Sequence, residues 1–212
     1  MKDPHKLYDV FKCKVNIRLT DFSDFCNPII IKVRALLFLS LLSSLNYLNA
    51  QQRRAEKVDQ KGFKRLYKLN DSVFRSEQPS KKDFEALEDM GLKTIVNFRR
   101  NKTDDRKARK TLLKLEHLPL RTKELTQDQL LTALKLVKFA EKPVLLHCWH
   151  GSDRTGAISA AYRIVFEDWD KEDAIKELRI EELGYHENWY PNVVDLLRVL
   201  DVAKIKEELD LK

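Results

Sequence analysis

Cysteine is scarce in this sequence: there are three in 212 residues, at positions 13, 26 and 148. A disulfide framework is therefore excluded, and so is a zinc site built from several thiolates. Glycine and proline are also few, five and six, which excludes collagen-like and low-complexity chains. No apolar run reaches the roughly 20 residues that a membrane-crossing helix wants. Neither sign of charge dominates. Forty Lys and Arg stand against 33 Asp and Glu, a formal charge of +7, with +3 of it in residues 1–50. That excess suits a small anion but is too diffuse to imply nucleic acid. What is present is an ordinary globular composition, 43% hydrophobic and 34% charged. The length favours one domain, or one domain with an appendage.

The appendage is residues 1–50. "ALLFLSLLSSLNYLNA", Ala35 to Ala50, has no charge and follows Lys32 and Arg34. A basic flank, a Leu-rich core and a small final residue read as a secretory signal cleaved near Ala50. Export to a periplasm or beyond is therefore expected. The alternative is a membrane anchor, which also places residues 29–50 near a membrane; a third reading is a buried helix of the fold. Cys13 and Cys26 fall in this leader. Cys148 is then the lone cysteine of residues 51–212, without a partner for a disulfide and with too few companions for a metal. Inert burial or reactivity remains.

Beyond the leader, element types alternate. "FKRLYKLN" and "SVFRSEQP" read as short extended pieces. Ser80, with Asp83 three residues on, starts a helix with Phe84, Leu87 and Met90 on one face, stopped by Gly91. "LKTIVNF", Leu92 to Phe98, reads as a buried strand. In "RRNKTDDRKARKTLLKL" a charged loop is expected first and a helix at the end. "LEHLPL" reads as a strand. Thr126 and Gln129 form a capping box for a helix with apolar Leu130, Leu131, Leu134, Val137 and Phe139. "VLLHC" is a continuous apolar strand, and Arg154 to Lys212 carries three helical patterns. The fold class expected is α/β, with a central, largely parallel sheet of about four to five strands flanked by helices.

Cys148 falls where "VLLHC" ends and before "RTGAISAAYRIVFE" begins. In parallel α/β sheets, ligands bind at the carboxyl ends of strands. The loop "WHGSD" and the first amides of the next helix can converge on one anion, aided by the helix dipole. On this reading Trp149, His150, Gly151, Ser152, Asp153 and Arg154 surround a phosphate. Gly151 permits the unusual dihedrals, and Arg154 supplies a planar fork of donors. A helix amino terminus and nearby cations favour the thiolate of Cys148. Such a set is suited to nucleophilic attack on phosphorus.

These residues, "HCWHGSDRTG", resemble the H-C-x5-R-S/T signature of the protein tyrosine phosphatase superfamily. The segment from about Lys64 to Lys204 resembles its small dual-specificity branch. The resemblance implies Cys148 as nucleophile, Arg154 as phosphate-gripping residue, Thr155 as the hydroxyl that helps break down a phosphocysteine intermediate, and His147 as support for the loop and thiolate. A structural core histidine is an equal reading of His147. The implied substrates are phosphotyrosine, phosphoserine or phosphothreonine on proteins, or phosphoinositides and inositol phosphates. No metal or cofactor is implied, and the protein is expected to be a monomer. A phosphate-binding module with weak catalysis, and a sulfurtransferase or reductase, are the rivals; the latter usually pairs its cysteine with a second.

The family's usual proton donor is an aspartate well upstream of the cysteine, and that spacing falls here on Thr122 or a neighbour. Glu124 is the acid nearest to it. Asp153 is the other candidate, since an aspartate before the loop arginine is similar to myotubularin-like lipid phosphatases; its plainer reading is a carboxylate that only shapes the loop. Asp128 is accounted for by its place in the first turn of a helix. Packing is expected for Trp149 and for the aromatic turn "GYHENWY". Arg99 and Arg100 are read as a solvated loop on the same sheet edge as Cys148.

Overall fold

A computed structural model describes residues 54–211. The leader, its cleavage site, Cys13 and Cys26 lie outside the described residues. No helix among the described residues is long and apolar enough to cross a membrane.

The elements run in chain order as β1 (Glu56–Lys57), β2 (Tyr67–Asn70), β3 (Val73–Ser76), α1 (Lys81–Asp89), β4 (Thr94–Asn97), α2 (Asp105–Ala108), β5 (Lys114–His117), α3 (Gln127–Phe139), β6 (Val144–His147), α4 (Asp153–Phe166), α5 (Lys171–Leu178), α6 (Asn192–Arg198) and α7 (Val202–Glu208). The strands form one sheet in the order β1-β2-β3-β6-β4-β5. β3, β6, β4 and β5 are mutually parallel, and β1 and β2 are added antiparallel at one edge. The sheet is therefore mixed α/β and mostly parallel, as expected, with six strands rather than four or five. The extra one is β1, two exposed residues that carry no apolar alternation to betray them.

Both faces of β6 are covered, which is why its four residues read as an unbroken apolar run and are all buried. Val144 and Leu146 face one core with α3, α4, α5 and α6, while Leu145 faces a second with Phe84 and Leu87 of α1. Successive side chains of a strand alternate faces. Cys148, two residues beyond Leu146, is thus set toward the α4 side and belongs to the same cluster.

Helix ends follow local chemistry. The Asp83 carboxylate accepts from the Ser80 amide at 2.7 Å. Thr126 and Gln129 bond reciprocally at 3.2 and 3.3 Å, closing the box that starts α3. Three expectations are corrected. The end of the charged segment is not helical: the helix is the short α2 within it. Lys114–His117 pairs in parallel with β4, turning Leu113 and Leu115 toward the second core while Leu112 is 94% exposed. Phe139, counted on the apolar face of α3, lies at its last residue and is 74% exposed. The last of the three helical patterns is two helices, α6 and α7, because Asp201 caps a new one by accepting from Lys204 N.

Candidate active site

β6 delivers Cys148 to the carboxyl edge of the sheet. It is flanked by the ends of β3 and β4, since Ser76 and Asn97 both pair with His147. The chain then crosses residues 149–152 and enters α4 at Asp153. The Trp149 carbonyl accepts from Gln78 N at 3.1 Å. Among the described residues, the amides of Trp149, His150, Gly151 and Ser152 donate to no protein acceptor in that loop network. Four N–H groups next to a helix amino terminus make a ready anion cradle. Gly151 has φ +73°, and a Cβ there would lie 2.6 Å from the backbone of Ser76 and Glu77. Only glycine fits both the left-handed conformation and the close approach to β3.

Arg154 is half-buried and reaches across the site, donating from Nη1 to the Phe98 carbonyl at 3.1 Å, just beyond β4. Cys148 is 2% exposed. Thr155 is fully buried, and its hydroxyl has no hydrogen-bond partner among the described residues. A buried unpaired hydroxyl costs free energy, and at the first turn of α4 it lies beside the loop. Cys148, Arg154 and Thr155 are thereby brought to one place with the loop amides.

His147 is fully buried. Its Nε2 lies 2.8 Å from Asp104 Oδ2 and its Nδ1 lies 3.0 Å from the Cys148 carbonyl oxygen. Both ring nitrogens thus face oxygen atoms, one of a carboxylate and one of the backbone. Burial by itself would raise the Asp104 carboxyl. The hydrogen bond and charge of His147, then Gln78 and Lys107, outweigh it and hold Asp104 below the usual carboxylate range. Gln78 bridges outward: its Nε2 donates to Asp104 Oδ1 at 2.9 Å and its Oε1 accepts from Arg99 at 2.7 Å. Arg99 is therefore pinned rather than freely solvated, with its guanidinium 4.3 Å from the centre of the Trp149 ring. Arg100 is exposed.

The two acid candidates part company. Glu124, 61% exposed at its side chain, is turned to Arg121 Nη1 at 2.8 Å. Asp128 is exposed on α3, in a groove of about 460 Å³ with Asp201 and Lys204. Asp153 is the first residue of α4, directly after the loop, where its Oδ1 accepts from the His186 amide at 2.9 Å and lies 3.0 Å from His186 Nδ1. The aromatic turn thus docks on the start of α4, beside the 149–152 loop, instead of serving only as a corner between helices. Its rings continue the rim: Trp149 to His150 at 6.2 Å, His150 to His186 at 6.4 Å, and His186 stacked on Trp189 at 5.1 Å. Trp149, expected to pack behind the loop, is 52% exposed. Desolvation first, then the neighbouring His186, Arg65 and Arg154, lower the basicity of His150 against the opposing charge of Asp153.

Sequence reasoning missed Arg75, Asp104 and His186. Arg75, on β3, is 2% exposed and donates from Nη2 to the Gly151 carbonyl at 2.6 Å. None of these contacts is local: they join residues 76, 43 and 33 positions apart. A buried arginine inside an apolar strand was the one available hint.

Comparison with known proteins agrees with this geometry. Residues 70–167 match a family model described as "Polymorphic toxin system, DSP-PTPase phosphatase". The chain is 34% identical over 117 residues to the dual specificity protein phosphatase TpbA from two strains of Pseudomonas aeruginosa, covering 54% of this chain. It spans about half the length, 53%, of these curated relatives. The crystal structure of P. aeruginosa TpbA superposes with a TM-score of 0.67 and 28% identity, over 74% of this chain and 97% of the other. A Cys-to-Ser form of TpbA in complex with pTyr gives the same score, over 96% of its chain. The catalytic domain of the PP-IP phosphatase SIW14 from S. cerevisiae, at 20% identity, TM-score 0.59 and coverage of 68% and 90%, shares the fold. The strand-loop-helix carrying Cys148 and Arg154 lies inside the matched segment, and over it the chain is similar to dual-specificity members of the protein tyrosine phosphatase superfamily.

Proposed function

We propose that the protein is a cysteine-dependent phosphatase that hydrolyses phosphate monoesters on protein side chains, phosphotyrosine among them. The Cys148 thiolate attacks phosphorus, and the bond from phosphorus to the ester oxygen breaks as the sulfur–phosphorus bond forms. Arg154 and the loop amides hold the three equatorial oxygens as charge spreads over them. Water then attacks the phosphocysteine, releasing inorganic phosphate and returning the sulfur, with Thr155 beside it. The leaving oxygen must take a proton. Asp153, where the loop enters α4 and within 3.0 Å of His186 Nδ1, is better placed to give it than Glu124, which faces Arg121. The observation that carries this reading is that Cys148 follows β6 at the sheet edge where Arg154 reaches the Phe98 carbonyl and where, among the described residues, the amides of residues 149–152 have no protein acceptor.

The test is phosphate release from an aryl phosphate and from a phosphotyrosyl peptide by the full chain. Turnover that vanishes in Cys148→Ser, with oxyanion binding retained, supports the proposal. A wild-type chain that binds orthovanadate but releases no phosphate is a binding module instead.

A second reading has its own observation. Arg100, Lys102, Arg106, Arg109 and Lys110 are exposed and enter none of the ion pairs among the described residues. Arg100 and Lys102 leave β4 on the edge that carries Arg99, and favour a substrate with several phosphates, such as an inositol phosphate or phosphoinositide. Faster release from an inositol polyphosphate than from the peptide decides for it. Export is proposed on the apolar run before Ala50. Mass spectrometry of the mature protein tests it, with Gln51 expected as the first residue.

A further inference from the structure

We propose that Arg75 is a positioning residue of the phosphate loop, which fixes the Gly151 carbonyl from beneath and supplies a positive charge that favours the thiolate of Cys148. This deepens the phosphatase reading and rests on it.

Arg75 stands on β3 opposite Leu146, two residues before Cys148 on the adjacent strand. Its Nη2 bonds the Gly151 carbonyl at 2.6 Å and would lie 3.6 Å from a Cβ placed on Gly156. The guanidinium therefore fills the space between the loop and the first turn of α4. A second arginine, Arg163, is just as buried, at 1% exposed, and offers a comparison. Arg163 has two carboxylates of its own. Glu177 accepts from its Nε and Nη2 at 3.0 and 2.9 Å, and Glu167 from its Nη1 at 2.6 Å.

Arg75 enters no ion pair among the described residues, and the carboxylate nearest in effect, Glu177, is already engaged by Arg163. A buried cation without its own counter-ion is costly. Burial pushes the Arg75 guanidinium down to about 10, against the opposing charges of Glu177, Cys148 and Tyr67. It remains protonated at neutral pH. The anion left for it to serve is the thiolate, and by linkage a charge that favours Arg75 in its protonated form is favoured in return. Lysine carries the charge without the planar fork. Glutamine can keep a donor to Gly151 without the charge.

The experiment follows the rate of Cys148 alkylation by iodoacetamide against pH, peptide by peptide, in the full-length wild type, Arg75→Lys and Arg75→Gln. At pH 6, Arg75→Gln should react more slowly than wild type, by up to about tenfold for each unit that the ionisation profile moves upward. Arg75→Lys should lose less. At pH 9.5 all three should react alike, which excludes a simple loss of access. A wild-type profile in Arg75→Gln, or equal displacement of the Lys and Gln variants, overturns the proposal.

A readout without any Arg75 variant covers failure to fold. In the wild type, the Arg75 Nε–H resonance should move over the pH range in which Cys148 alkylation switches on, and it should stand still in Cys148→Ser. A resonance stationary in both overturns the proposal equally. If the wild type releases no phosphate from an aryl phosphate, the phosphatase reading falls. If it releases phosphate and the Arg75 variants keep its profile, only the role of Arg75 falls.

Discussion

Replacing Asp104 by Asn removes one negative charge from the pair that holds His147 while keeping the shape of the side chain. The two side chains are 0% and 2% exposed and meet at 2.8 Å. A hydrogen bond to a charged group contributes about 1.5–3 kcal/mol against roughly 0.5–1.5 for a neutral one, so Asp104→Asn should cost about 1–2 kcal/mol. Asp104→Ala leaves the ring without its partner and should cost about 3–5 kcal/mol. For a domain of this size, each kcal/mol moves the midpoint by roughly 2–4 °C. The expected falls are then about 2–8 °C for Asn and roughly 6–20 °C for Ala, read by thermal melting at pH 7.

The dependence on pH has a defined sign. Asp104 is held below its ordinary value of 3.8, so its stabilisation is fully present well above that value and is lost as pH falls through the depressed one. Urea midpoints at pH 5 and pH 3.5 should show the gap between wild type and Asp104→Asn narrowing at the lower pH. An unchanged melting midpoint for Asp104→Ala, or a gap that is as wide at pH 3.5 as at pH 5, refutes the reasoning.

Glycine substitutions in the loop and in the first turn of α4 should separate cleanly. Gly151→Ala meets backbone at 2.6 Å with φ +73°, and left-handed strain alone costs about 1–2 kcal/mol; both the melting midpoint and kcat/KM should fall, the latter at least about tenfold. Gly156→Ala meets the movable tip of Leu178 at 2.6 Å, with Arg75 Nη2 at an ordinary 3.6 Å, and the helix gains about 1 kcal/mol of propensity, so its melting midpoint should lie close to wild type. Glu124→Gln should leave turnover unchanged, because that carboxylate faces Arg121 and solvent. Asp153→Asn should slow hydrolysis of an alkyl phosphate more than that of a nitrophenyl phosphate, whose leaving oxygen needs little protonation. Equal loss on both substrates marks Asp153 as purely structural.

The cysteine, the arginine and the strand between two covered faces were legible because each is written in consecutive residues: "VLLHC", the loop, then a helix start. The Thr126–Gln129 box was legible for the same reason. The supports of the loop were not. Arg75, Asp104 and His186 reach it from β3, from the segment before α2 and from the turn before α6, and local pattern carries no trace of a contact across such separations. β5 was misjudged in part because "TLLKL" has no strict alternation. Its strand state comes from pairing beside β4, a case of tertiary context overriding local propensity. α6 and α7 merged in the sequence because the apolar spacing continues through Leu200, and only the cap at Asp201 separates them.

The chain has three tryptophans, and Trp149 and Trp189 end the row of rings that borders the phosphate loop. One lies under the Arg99 cation and the other is stacked on His186. Each therefore has an emission quencher or polar neighbour at the edge where a ligand would enter. The molecule carries a built-in optical reporter, and titrating inorganic phosphate while watching indole fluorescence would register occupancy with no label attached.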